Sequence, residues 1–223
     1  MLLHWLLVAH VAVVGYWLGS ELVINNLYRY VSYSGAMPFA ERDRLMQRVM
    51  DVDQHVRYAL VLQAGLGFTL ATLYGYVPGG RTAAFVAGSV AVAWLVFVEV
   101  IHRWRHRPVG VRLAAIDRGA RYVVVALFVA LAAGWLGTDW PMPSWLRLKL
   151  ALFAGVMLCG VGIRFALIQH FRTWAIMARE GPNEVTNAAI RATYVRATAV
   201  LVLLWIFIAG ITVTSVVKPT FGT

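Results

Sequence analysis

The chain lacks several things, and each lack excludes a class of protein. It has one cysteine, Cys159, and that one falls inside an apolar block. A disulfide within the chain needs two cysteines, and so does a Cys-x-x-Cys metal knuckle, so neither applies. There is no nucleotide-binding loop. Gly79-Gly80 and the glycines scattered through the apolar blocks have no strand–turn–helix context to cradle a phosphate. No serine sits in a hydrolase elbow. No long-period repeat is visible. Acidic residues number only 10, against 20 Lys and Arg.

What is present is apolar surface. Of the 223 residues 61% are hydrophobic, and mean hydropathy is +0.70. That excludes a soluble globular domain and a disordered chain. The apolar residues fall in blocks of about 20, the length that crosses a bilayer as a helix. The expected fold is therefore all-α: a polytopic transmembrane helix bundle, one integral membrane domain over 1–223. Six spans are expected, at about 2–24, 57–77, 83–101, 120–137, 145–169 and 197–217. The first block is not a signal peptide, because it lacks a basic leader and a small-residue cleavage site and is too long.

The positive charge sits between spans. Arg29, Arg42, Arg44 and Arg48 follow span one; Arg103, Arg105, Arg107, Arg112 and Arg118 follow span three; Arg172, Arg179, Arg191 and Arg196 follow span five. The loops after spans two and four carry Arg81 and no basic residue, respectively. Positive loops stay in the cytoplasm, so both termini of this multi-pass protein are expected outside. The same rule accounts for the net charge of +10 without a nucleic-acid partner, and no nucleic-acid motif is present.

Two stretches hint at packing. After Pro38, Leu45, Val49, Val52 and Val56 recur at helical spacing among charges, which predicts an amphipathic helix running into span two. Span two itself carries Ala64, Gly65, Gly67, Ala71 and Gly75, small residues that let helices approach closely, so it is expected to be central.

Polar residues inside the apolar blocks are the candidate sites. The first block reads LLHWLLVAHVAVVGYWLGSELVI, and His10 lies about 13 Å from its start at 1.5 Å per residue. An ionisable group at that depth costs a few kcal/mol for the charged types and is a site hypothesis by default. Two readings of His10 stay open. It makes an interhelical hydrogen bond, or its neutral imidazole serves as a metal or haem ligand or transfers a proton. His4, Trp17 and Lys149 belong to the same half of the bundle. Lys149, with Arg147, either anchors at the interface or points inward. Met157, at similar depth, is packing or a soft second ligand.

A second constellation lies at the cytoplasmic ends: Glu21, His55, Glu99, His102 and His170. Glu99 and His102 share a helical face at i, i+3, a spacing used by metal sites in helix bundles. The alternative is ordinary interfacial polarity, with Glu99 paired to an Arg of the following loop.

His10-x6-Trp17-x-Gly19 resembles the opening helix of two related groups: the haem-linked membrane protoporphyrinogen IX oxidase of bacteria, and copper resistance protein D. The oxidase resemblance extends through Arg29, the charged run ERDRLMQRVM, the stretch Gln63 to Thr69, and Trp145-Leu-Arg-Leu-Lys149-Leu. It covers spans one, two, five and six. Spans three and four look like an inserted hairpin, and YVSYS at 30–34 lacks the aromatic-His pair expected there. The resemblance implies a helical membrane protein holding b-type haem, with His10 as ligand and Lys149 needed for activity.

Three functions follow as expectations. The first is a haem b redox protein, an oxidoreductase or electron carrier acting on a quinone or porphyrin-like substrate. There His10 and Trp17 hold the cofactor, and Lys149 or Arg29 fixes an anionic carboxylate in a catalytic role. The second is a copper or other metal permease, for which the seven methionines are too scattered. The third is a non-catalytic subunit of a larger respiratory complex, or a homo-oligomer. A metal ion held by Glu21, His55, Glu99, His102 and His170 is a further expectation.

Overall fold

The computed structural model describes residues 1–105 and 107–219. Six helices account for almost all of them: α1 Leu2–Tyr33, α2 Phe39–Leu73, α3 Gly80–Arg103, α4 Pro108–Ala132, α5 Ser144–Glu180 and α6 Glu184–Val217. Each packs on the next in chain order, and α6 packs back on α1. The result is a closed ring of antiparallel neighbours, with both ends of the chain at one end of the ring. Lys218 lies over the Trp145 ring at 5.7 Å, which ties the end of α6 to the start of α5.

Five of the six helices are long and apolar enough to cross a membrane: α1, α2, α3, α5 and α6. Their outward faces carry Val8, Val11, Val90, Ile206 and Val213, each more than half exposed. In water such a perimeter would drive aggregation, whereas against lipid tails it is the ordinary surface. Tyr74, Tyr76, Trp140 and Trp145 gather near the end with the termini, where amphipathic rings favour a membrane–water boundary.

The helices overrun the expected spans on the basic side. α1, α2, α5 and α6 have 32, 35, 37 and 34 residues. At 1.5 Å per residue that is about 48–56 Å, against about 30 Å of hydrocarbon. The overhang forms its own apolar cluster of Tyr28, Val31, Met46, Val49, Trp174, Met177, Ile190 and Tyr194. The expected amphipathic helix after Pro38 is thus continuous with the second apolar block. α6 starts at a reciprocal cap: Asn183 Oδ1 accepts from Thr186 N at 2.9 Å, and Asn183 N donates to Thr186 Oγ1 at 3.0 Å. That holds two of the free N–H groups of a helix start.

The fourth element departs most from expectation. A span over 120–137 was expected, but α4 begins at Pro108 and ends at Ala132. Its first half carries Arg112, Asp117, Arg118 and Arg121, so it does not read as apolar. Asp117 is buried there and takes hydrogen bonds from Arg121 at 2.7 Å and Trp94 at 3.2 Å. The far end stops before Gly134, whose φ of 75° leaves the helix, and Arg147 reaches over it, donating to Leu131 O at 2.8 Å and Gly137 O at 3.2 Å. Arg147 thus satisfies carbonyls at and just beyond a helix terminus.

The small residues of α2 do what close packing requires. A Cβ added at Gly65 would lie 2.3 Å from Ala91 Cβ on α3, so only glycine permits this approach. α2 lies between α1 and α3.

Candidate functional site

Inside the ring lies a narrow cavity of about 90 Å³, smaller than the roughly 300–1,000 Å³ usual for small-molecule sites. Its walls come from α1, α2, α4, α5 and α6, with Val77 and Met142 closing the end near the termini. α3 contributes nothing and α4 only Phe128.

Three of the four residues expected in the outer constellation meet here. His10, Trp17 and Lys149 all line the cavity, whereas His4 is exposed. His10 faces inward because α1 turns it seven residues before Trp17, two turns along one face. Lys149 points in rather than out. Among the described residues no hydrogen bond or ion pair reaches its ammonium. The rest of the wall is apolar, with Phe68, Phe128 and Phe153 as its large rings.

Gln63 completes the polar side, and the sequence reading gave it no role in a site. Its Nε2 lies 3.1 Å from His10 Nε2. His10 Nδ1 and Gln63 Oε1 are both buried and have no partner. Gly67 stands one turn along α2, where a Cβ would lie 3.3 Å from His10 Cε1. Glycine leaves the imidazole its room. A polar residue at mid-span was the available signal for Gln63.

These groups bear on whether a haem fits. A ligating imidazole donates its other ring N–H to an acceptor. With the Gln63 amide turned over, its Oε1 accepts from His10 Nε2–H, and the Nδ1 lone pair is left free for a metal. His10 Nδ1 and Gln63 Oε1 then have a use, and the amide Nε2 takes the unpartnered place. The apolar, ring-lined wall suits a macrocycle, and Lys149 supplies the one cation on the wall. The residue types suit the group, and the helices would have to part to admit it, since the cavity measures about 90 Å³. Met157 does not belong to this arrangement. It is buried in the apolar core with Phe153 and Leu204, so the packing alternative holds, and the methionine on the cavity wall is Met142.

Arg29 does not join Lys149. It is exposed, and it lies 19 residues beyond His10 on α1, about 28 Å along the axis.

The five residues of the expected cytoplasmic metal cluster lie toward the basic end but do not converge. Among the described residues no group of three or more His, Cys, Asp or Glu side chains is placed to hold an ion. Each has a local environment of its own. Glu21 is buried and accepts from Trp17 Nε1 at 3.2 Å. His55 is exposed, and its Nδ1 meets Tyr16 OH at 2.6 Å. Glu99 is bonded to Tyr58 OH and, at 2.6 Å, to Arg103 Nε, the pairing to a following Arg weighed as the alternative. His102 is half-buried one turn beyond Glu99. His170 is fully buried, with Nδ1 3.0 Å from Tyr28 OH and its ring stacked on Trp174 at 5.0 Å. Glu21 still matters to the cavity, since it fixes the indole of Trp17 from behind.

A buried cation near His170 was also missed. Arg42 is wholly buried in the overhang. It donates to Val31 O at 3.2 Å and to Asn187 Oδ1 at 2.8 Å, and it lies over the Trp174 ring at 5.3 Å. Its place on the apolar stripe, one turn before Met46 and two before Val49, was the sequence signal.

Fold and cavity together define a class: a polytopic helical protein whose ring of helices encloses an apolar chamber with one imidazole and one cation. Comparison with protein-family profiles, with characterised proteins and with solved structures gave no match.

Proposed function

We propose that this chain is an integral membrane redox protein that binds b-type haem within the ring, where His10 would hold the iron. The observation that carries the reading is the buried His10 Nδ1 without a partner at the wall of the chamber. A buried polar atom left unpaired costs about 1–3 kcal/mol. An interhelical hydrogen bond in a membrane returns about 0.6 kcal/mol on average and about 1.7 at most. The bond to Gln63 alone therefore does not offset the burial of this ring, and ligation of Nδ1 removes the deficit.

On this reading the haem supplies one-electron chemistry, and the protein does the rest. Gln63 orients the imidazole. Trp17, held by Glu21, together with Phe68 and Phe153, excludes water. Lys149 balances a propionate or an anionic substrate carboxylate. The finer topology belongs to the same proposal: α4 makes a sixth crossing, the basic end faces the cytoplasm, and both termini face outward across a bacterial inner membrane. The test is a reduced-minus-oxidised absorption spectrum of the purified protein. A b-type signal supports the reading. A colourless protein that copurifies with respiratory partners supports a non-catalytic subunit instead.

A further inference from the structure

A second space opens on the outer side of the ring, between α1, α2 and α3. It is an open groove of about 630 Å³ lined by Tyr16, Tyr58, Leu62, Leu95, Val96 and Glu99. Its floor is aliphatic and runs out to the lipid-facing surface, where Val96 is 58% exposed and Tyr16 41%. Its polar rim is at the end nearer the basic loops. Two phenols face it. Tyr58 OH donates to Glu99, and Tyr16 OH meets His55 Nδ1 at 2.6 Å. Arg103 closes the rim through its ion pair with Glu99 at 2.6 Å.

We infer that this groove binds the ring of an isoprenoid quinone, its tail leaving past Val96 into the bilayer. The choice of a redox ligand rests on the haem reading above. The form of the groove selects within that class. Glu99 and Arg103 neutralise each other, so the rim offers no free charge. A phospholipid phosphate would have to take Arg103 from Glu99. A neutral ring takes one hydrogen bond, from Tyr16 OH in the tautomer where His55 Nδ1–H donates to that phenol, while Tyr58 OH stays on Glu99 and the ion pair is left whole. Two phenol rings at the rim also suit edge or face contact with a flat ligand. His55, exposed behind Tyr16, links the rim to water. The groove and the chamber share one wall. Tyr16 and Trp17 are neighbours on α1, Leu62 and Gln63 are neighbours on α2, and in each pair one residue lines the groove and the other the chamber.

The test uses the full chain in lipid nanodiscs with a photoreactive benzoquinone. Covalent label is expected within residues 58–62 or 95–103 and is expected to be displaced by excess short-tailed quinone. Leu62→Trp and Val96→Trp fill the groove and should each weaken labelling at least about tenfold, equivalent to ~1.4 kcal/mol. Val96 is the safer site because its side chain is exposed. The same labelling is expected in haem-free His10→Ala protein. Label on other helices, label unchanged in both Trp variants, or displacement by phosphatidylglycerol but not by quinone overturns the inference. A haem spectrum without specific label rejects the groove alone, and specific label on a colourless protein rejects the haem reading alone.

Discussion

Gln63 Nε2 on α2 meets His10 Nε2 on α1 at 3.1 Å, in a chamber where few other polar atoms reach. The contact decides which imidazole nitrogen is free. On the proposed reading it also places a tuning group one hydrogen bond behind the iron ligand. Gln63→Leu keeps the volume roughly but removes the orienting bond. Loss of such a partner costs about 10–100-fold in metal affinity or activity. Haem titration of the variant is expected to show weaker binding in that range, with helix content unchanged by circular dichroism.

Gly67 gives the same ring its room. Its missing Cβ would sit 3.3 Å from His10 Cε1. Gly67→Val should force the imidazole aside at a cost of about 1–3 kcal/mol. The expected outcome is lower haem occupancy with a lowered melting temperature. Gly19 is the control, since a Cβ there meets nothing within 4 Å. Gly19→Ala should leave both unchanged.

The legible part of this molecule is what lipid dictates. Backbone groups in hydrocarbon must bond within a helix, so long apolar blocks can be read directly as α1, α2, α3, α5 and α6. α4 was misplaced because its charged first half is satisfied inside the protein, by Asp117 with Arg121 and Trp94. The overhang was cut short in the same way, since hydropathy ends where lipid ends although the helix continues. At the site, His10, Trp17 and Lys149 were legible as polar or aromatic residues out of place in an apolar run. The expected metal cluster at the basic end does not converge among the described residues, because polar residues near helix ends find partners one turn away, as Trp17–Glu21 and Glu99–Arg103 do. Spacing shows that residues share a face of one helix, but not which helix turns toward them.

Glu21 illustrates the difference. If it supports Trp17 rather than a metal, Glu21→Gln retains an acceptor for the indole N–H, and little should change. Glu21→Ala leaves the N–H unpartnered at a cost of about 1–3 kcal/mol. Thermal unfolding in detergent should separate the two variants, with metal content equal in both. Metal lost from both variants, with stability unchanged, would restore Glu21 as a ligand.

Arg42 carries the overhang. Arg42→Met keeps the stem but removes two hydrogen bonds made by a charged group, each worth about 1.5–3 kcal/mol. It leaves Val31 O and Asn187 Oδ1 without this partner. A fall in melting temperature, with the haem spectrum retained, is the expected result, because the overhang is remote from the chamber. Protease cleavage should become faster between 34 and 50.

Orientation is open to thiol labelling. Cys159 is buried, so it contributes little background. Thr82→Cys and Ser144→Cys should react with an impermeant reagent added outside. Reaction of both only from the cytoplasmic side would invert the topology.

The central claim is that His10 holds haem iron, and the absorption spectrum of the purified His10→Ala protein tests it most directly, with Lys149→Met beside it. Wild-type protein should show a b-type reduced-minus-oxidised signal. His10→Ala should lose the haem or shift that signal, while Lys149→Met should keep it and lose turnover. Full haem retention in His10→Ala, with an unchanged spectrum, would contradict the account and move the ligand to another imidazole, with His170 the first to examine.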